Sequence, residues 1–201
     1  MNKLFFHTNM SWRRVIILSL LCAIFSALML IIPFTIHTSL SAPGTTFEFW
    51  IIMALIIMMN SNSSLDAGLK TFVFFLISQP LIYLLQVPFS HLGWGLFMFY
   101  PKWFILTLLT FPGAMIGYFV KKDNILSALI LSVATAFLVY QGMYYIPYVL
   151  NRFPFYILSL LFCFGSAFGL GFILLKKRLN RIICLAITLC SFILLICIQI
   201  L

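Results

Sequence analysis

Seven apolar stretches, at residues 15–35, 46–60, 71–89, 103–120, 125–147, 154–175 and 182–200, take up most of this 201-residue chain. Crossing about 30 Å of hydrocarbon takes about 20 helical residues, with a range of about 17–25. Six stretches meet that requirement. The stretch 46–60 is strongly apolar only from Trp50 to Met59, and it leans on Thr45, Thr46 and Phe47 on one side and Asn60 and Ser61 on the other. Composition points the same way, with 64% hydrophobic and 7% charged residues, against about 45–50% and about 25% in a soluble domain. A small globule exposes too much of its surface to hide such a sequence. A soluble enzyme, a nucleic-acid-binding module and a disordered tail are excluded. The expectation is an all-α fold, a polytopic transmembrane helical bundle forming a single domain over residues 1–201.

The charges predict the topology. Twelve Lys and Arg stand against three Asp and Glu, and the cations cluster between the apolar runs instead of forming a nucleic-acid-binding face. With seven spans and the N-terminus inside, Lys3, Arg13, Arg14, Lys70, Lys121, Lys122, Lys176, Lys177, Arg178 and Arg181 all lie inside, and only Lys102 and Arg152 lie outside. If 46–60 were re-entrant, a six-span chain would put Lys70, Lys121–Lys122 and the 176–181 cluster outside, against the positive-inside rule. The reading is therefore seven spans, N-in and C-out, in a bacterial plasma membrane, with anionic headgroups meeting the cations. The run from Val15 to Pro33 exceeds the 7–15-residue core of a secretory signal, so this segment is expected to stay attached.

Catalysis has little to work with. The carboxylates are Glu48, Asp66 and Asp123, and the imidazoles are His7, His37 and His91. No zinc-protease, serine-hydrolase or nucleotide-binding motif occurs. Asp66 and Asp123 each lie near a lysine and read as solvated loop charges. Cys22, Cys163, Cys184, Cys190 and Cys197 lie inside apolar runs with no C-x-x-C pair, which reads as packing and not redox chemistry. No enzyme, cofactor or metal is expected. An energy source must come from a partner or a gradient.

Helices in lipid associate through small residues and buried polar bonds. Ser19, Ala23 and Ala27 form a stripe, with Cys22 and Ser26 beside it; Gly113-x-x-x-Gly117 and Gly165-x-x-x-Gly169 are two further seams. Gln79 lies mid-span in 71–89 beside Pro80, which removes a backbone donor. Polar groups at that depth face the bundle interior. On the outer side, Glu48, Tyr83, Trp94 and Gln141 join Gln79 in an outward polar-aromatic cup, under an aromatic lid in 88–102. The ordinary reading of such aromatics is an interfacial belt.

These features resemble the substrate-capturing S components of energy-coupling-factor (ECF) vitamin transporters: small, basic, all-helical, without an ATPase motif, with an A-x-x-x-A stripe on the first helix, here Ala23 and Ala27. The resemblance implies docking of a membrane coupling subunit and its ATPases on that stripe, and a small-molecule solute held near the outer side by Glu48, Gln79, Tyr83, Trp94 and Gln141. That family has six helices with both ends inside, so the run 182–200 is an addition. The chain also resembles integral membrane proteins of Gram-positive bacteria that imply no activity. The contrasting class is a non-transporting accessory, assembly or immunity protein, which predicts a tightly packed bundle without an outward pocket.

Overall fold

The computed structural model describes residues 9–200, with side chains to Cys197; Lys3 and His7 lie outside the described residues. The described residues contain helices and no strand. The helices are α1 (Trp12–Ile31), a single turn α2 (Ala42–Thr45), α3 (Glu48–Met59), α4 (Ser64–Gln86), α5 (Tyr100–Gly117), α6 (Ile125–Asn151), α7 (Ile157–Leu174) and α8 (Arg178–Ile200). Short 3-10 turns follow α4, precede α5 and follow α5. Six helical segments are long and apolar enough to cross a membrane. The protein is an all-α integral membrane protein. Internal contacts divide it into two compact units, which meet in sequence between Tyr118 and Phe119.

The first unit alternates direction along the chain. Helix α1 packs on α4 and α3 through a core of Val15, Cys22, Ala23, Trp50, Ile57, Phe74 and Phe75. Helix α3 has only 12 residues, about 18 Å of rise, too short to span hydrocarbon alone. Yet its path matches α1 end to end. Gly44 lies against the Leu30 side chain, Phe49 against Phe25 at 6.5 Å, and the Met10 N–H donates to the Asn60 carbonyl at 3.1 Å. The turns and the helical turn α2 before α3 supply the missing length. Trp50, buried, donates its indole N–H to the Pro43 carbonyl at 2.7 Å, folding that approach over the helix start.

Helix α4 begins seven residues before the apolar run because its first turn is capped by polar groups. Ser63 accepts from the Asp66 N–H, and the Asp66 carboxylate accepts from the Asn62 N–H at 2.9 Å and pairs with Lys70 at 2.6 Å. Such a reciprocal cap satisfies donors that a helix start leaves orphaned. Asp66 is therefore a capping and pairing group at a helix start, which corrects its reading as a solvated loop charge. Helix α5 returns antiparallel to α4, with Tyr83 facing Tyr100 at one end and Ser64 donating to the Met115 carbonyl at the other.

The second unit repeats the alternation. Gly142 meets Phe164 across α6 and α7, Gly171 meets Cys184 across α7 and α8, and Thr135 bonds Thr188 at 2.8 Å across α6 and α8. Helix α6 starts on a capping box of Asn124 and Ser127. Asp123 also proves structural. Its carboxylate accepts from the backbone N–H groups of Lys176 and Lys177 and from Asn180, tying the loop before α6 to the start of α8.

Within each unit the cations sort by end. In the first, Arg13, Arg14 and Lys70 share the end where Met10 meets Asn60, and Lys102 lies at the opposite end with Trp103. In the second, Lys121, Lys122, Lys176, Lys177, Arg178 and Arg181 share the Asp123 end, and Arg152 lies at the opposite one, where Tyr148 meets Tyr156.

The expected small-residue seams divide into closed and open ones. Ser19, Ala23, Ser26 and Ala27 are buried. Gly117 lies tight against Met58, whereas a Cβ at Gly113, Gly165 or Gly169 would meet nothing within 4 Å.

Candidate functional site

A cavity of about 290 Å³ lies among α3, α4 and α5 in the first unit. Each helix lines it with one face at helical spacing: Trp50, Ala54 and Met58 from α3; Thr71, Phe75 and Gln79 from α4; Trp103, Leu106, Thr107, Thr110, Gly113 and Ala114 from α5. Residues three and four apart stack on one side of a helix, which is why these sets converge. The volume sits at the lower edge of the range of small-molecule pockets, about 300–1,000 Å³.

The walls are almost wholly apolar, so the polar groups among them stand out. Gln79 and Thr71 are 4% and 1% exposed. The Gln79 Nε2 and the Thr71 Oγ1 are fully buried with no hydrogen-bond partner. A buried polar group left unsatisfied costs about 1–3 kcal/mol, and in hydrocarbon no water is at hand to repay it. Thr110 on the same wall differs. It donates to the Thr107 carbonyl at 2.6 Å within its own helix.

Of the residues singled out from sequence, Gln79 lines this cavity. Tyr83, one turn further along α4, stands behind it: its hydroxyl lies near Trp103, a wall residue, and its ring packs on Phe97 and Tyr100. Glu48 is buried in the first turn of α3, next to the wall residue Phe47. Trp94 is 69% exposed and stacks on Phe97, and it does not line the cavity. Gln141 is buried on α6 in the second unit. The cavity thus gathers Gln79 with neighbours of Glu48 and Tyr83, and it is apolar where a polar-aromatic cup was expected. His37 and His91 are both exposed in loops, and no group of three or more His, Cys, Asp or Glu among the described residues could hold a metal ion.

Thr71 and Ala54 escaped notice in the sequence, and Gly113 was read only as part of a packing seam. A threonine in a helix ordinarily satisfies its own hydroxyl, and nothing in one sequence marks the exception. The one available signal was spacing: Thr71 and Gln79 are eight residues apart, two turns along one face of α4.

Ala23 and Ala27, expected to dock a partner, are 0% and 1% exposed. Ala23 shares the core cluster with Trp50, Phe74 and Phe75. A partner cannot reach either alanine while this packing holds.

No protein-family model, curated protein or solved structure matches this chain.

Proposed function

We propose that the protein binds a small solute inside the bilayer and serves as a solute-uptake subunit of a bacterial plasma membrane. The observation that carries this reading is the cavity among α3, α4 and α5, with buried Gln79 and Thr71 left unpartnered on its wall. A purely structural bundle gains nothing from empty volume, since each lost contact weakens it. A binding site gains an occupant. The role is binding and not catalysis. The sequence holds no nucleotide motif, so accumulation against a gradient would be driven by a partner, as in the ECF transporters whose S components the chain resembles. That partner would dock on exposed apolar faces, because Ala23 and Ala27 are covered.

The same reading orients the chain with seven crossings, N-in and C-out. Its support is the sorting of cations to one end of each unit and the end-to-end match of residues 44–60 with α1.

The experiment is an Ala54→Phe substitution, which fills the cavity from α3. Extracted in mild detergent and examined by native mass spectrometry, the wild-type protein is expected to carry a bound small molecule that the variant lacks, with both chains eluting alike on gel filtration. Identical spectra with no bound compound in either protein would contradict a solute-binding role and favour the accessory class.

A further inference from the structure

Building on the solute-binding reading, we infer that the solute is a lipophilic carbonyl compound that enters sideways from the bilayer between α3 and α5 and sets its oxygen on Gln79.

Three observations carry this. The first is the lining. Apart from Gln79 and three threonines, the wall is hydrocarbon, aromatic ring and methionine, which suits an apolar body and repels a hydrated one. The second is the opening. Leu106 and Leu109 line the cavity yet are 40% and 60% exposed. A Cβ at Gly113 on the same wall would meet nothing within 4 Å. These residues lie in the middle of α5, about 9–20 Å from its start, at hydrocarbon depth for a spanning helix. An entrance there faces acyl chains and not water. The third is the pattern of unmet polarity. Gln79 Nε2 can only donate and Thr71 Oγ1 can donate as well as accept, so an acceptor is what Gln79 lacks and one that Thr71 could also use. A lipid tail would fill the volume and leave them bare. The two lie about 12 Å apart along α4, so one carbonyl serves one of them. Gln79 has the longer reach and sits beside Trp50 and Trp103 on the cavity wall.

The test uses the full-length protein in nanodiscs, with Trp12→Phe and Trp94→Phe so that Trp50 and Trp103 report on the cavity. The probes are 2-undecanone and undecane, nearly equal in size and differing in one oxygen. The ketone is expected to change the emission saturably at about tenfold lower membrane concentration than the alkane, the factor that one net hydrogen bond supplies. Gln79→Leu should bring the two probes together while the undecane response persists, which shows that the cavity is still formed. Gly113→Leu should slow the ketone response about tenfold or more by narrowing the side opening. Equal responses to ketone and alkane in the parent protein, or a ketone preference that survives Gln79→Leu, would overturn the assignment of the carbonyl, and solute binding itself would stand. An unchanged rate in Gly113→Leu would overturn the lateral entrance. Failure of both probes to change the emission would overturn the proposal together with the reading beneath it.

Discussion

Gly68→Val will destabilise the first unit by about 1–3 kcal/mol, the usual cost of overpacking a close contact. Gly68 sits at a close approach of α4 and α5. A Cβ there would lie 2.7 Å from Met115 Cγ and 3.0 Å from the Phe111 carbonyl oxygen. A methionine end can swing aside, but a backbone carbonyl cannot. The helices must part, and α5 carries Gly113 and Ala114, which line the cavity between those two contacts. The substitution should therefore reduce both thermal stability in detergent and occupancy of the cavity. Gly113→Ala is the matched control, because a Cβ there meets nothing within 4 Å. It is expected to be neutral or stabilising by up to about 1 kcal/mol through helix propensity. Equal losses in the two variants would show that the α4–α5 approach is not the constraint described.

The second large effect falls in the other unit. Asp123, from the loop before α6, holds the approach to helix α8: its carboxylate accepts from the backbone N–H groups of Lys176 and Lys177, just before the helix, and from the Asn180 side chain in its first turn. Burial alone would raise the Asp123 pKa. The hydrogen bonds from Asn180 and from the Lys177 and Lys176 backbones, with the Lys177 charge, outweigh it and hold the carboxyl below its ordinary 3.8. A group whose folded pKa is depressed contributes stability above its unfolded pKa, and loses it as pH falls through the folded value. The tie is thus complete at neutral pH and dissolves below about pH 4. Asp123→Asn keeps a residue tolerant of the positive φ of 47° at this position but removes the charge. It should cost about 0.5–1 kcal/mol, because solvent screens the charge and the amide oxygen still accepts, and raise amide exchange across residues 176–184, with no change in α4 or α5. Exchange unaltered in that segment would mean that Asp123 does not tie down the start of α8.

The helices were legible in the sequence because lipid leaves a chain few other choices, and each apolar run became one. Their starts were not. Helix α4 reaches back to Ser64 because Ser63, Asp66 and Lys70 settle its first turn with polar bonds, and hydropathy registers only the apolar part. The short stretch 46–60 posed the main ambiguity. Its helix is as short as its composition implies, and the flanking residues complete its path alongside α1. Gln79 announced itself as an amide at mid-span. Thr71 did not, since only the packed arrangement shows which hydroxyl lacks a partner. The stripe of Ala23 and Ala27 looks the same in sequence whether it meets a partner or its own chain, and here the chain's own helices cover it.

The account rests on residues 44–60 crossing the bilayer and so bringing the cationic ends to the inner side. With the five native cysteines replaced by alanine, single cysteines at Asn62→Cys and His91→Cys can be labelled in intact cells with a membrane-impermeant maleimide. Both positions are exposed. Labelling at 91 from outside, with labelling at 62 only after permeabilisation, is the expected result. Labelling at 62 from outside, with 91 protected, would contradict the seven-span orientation.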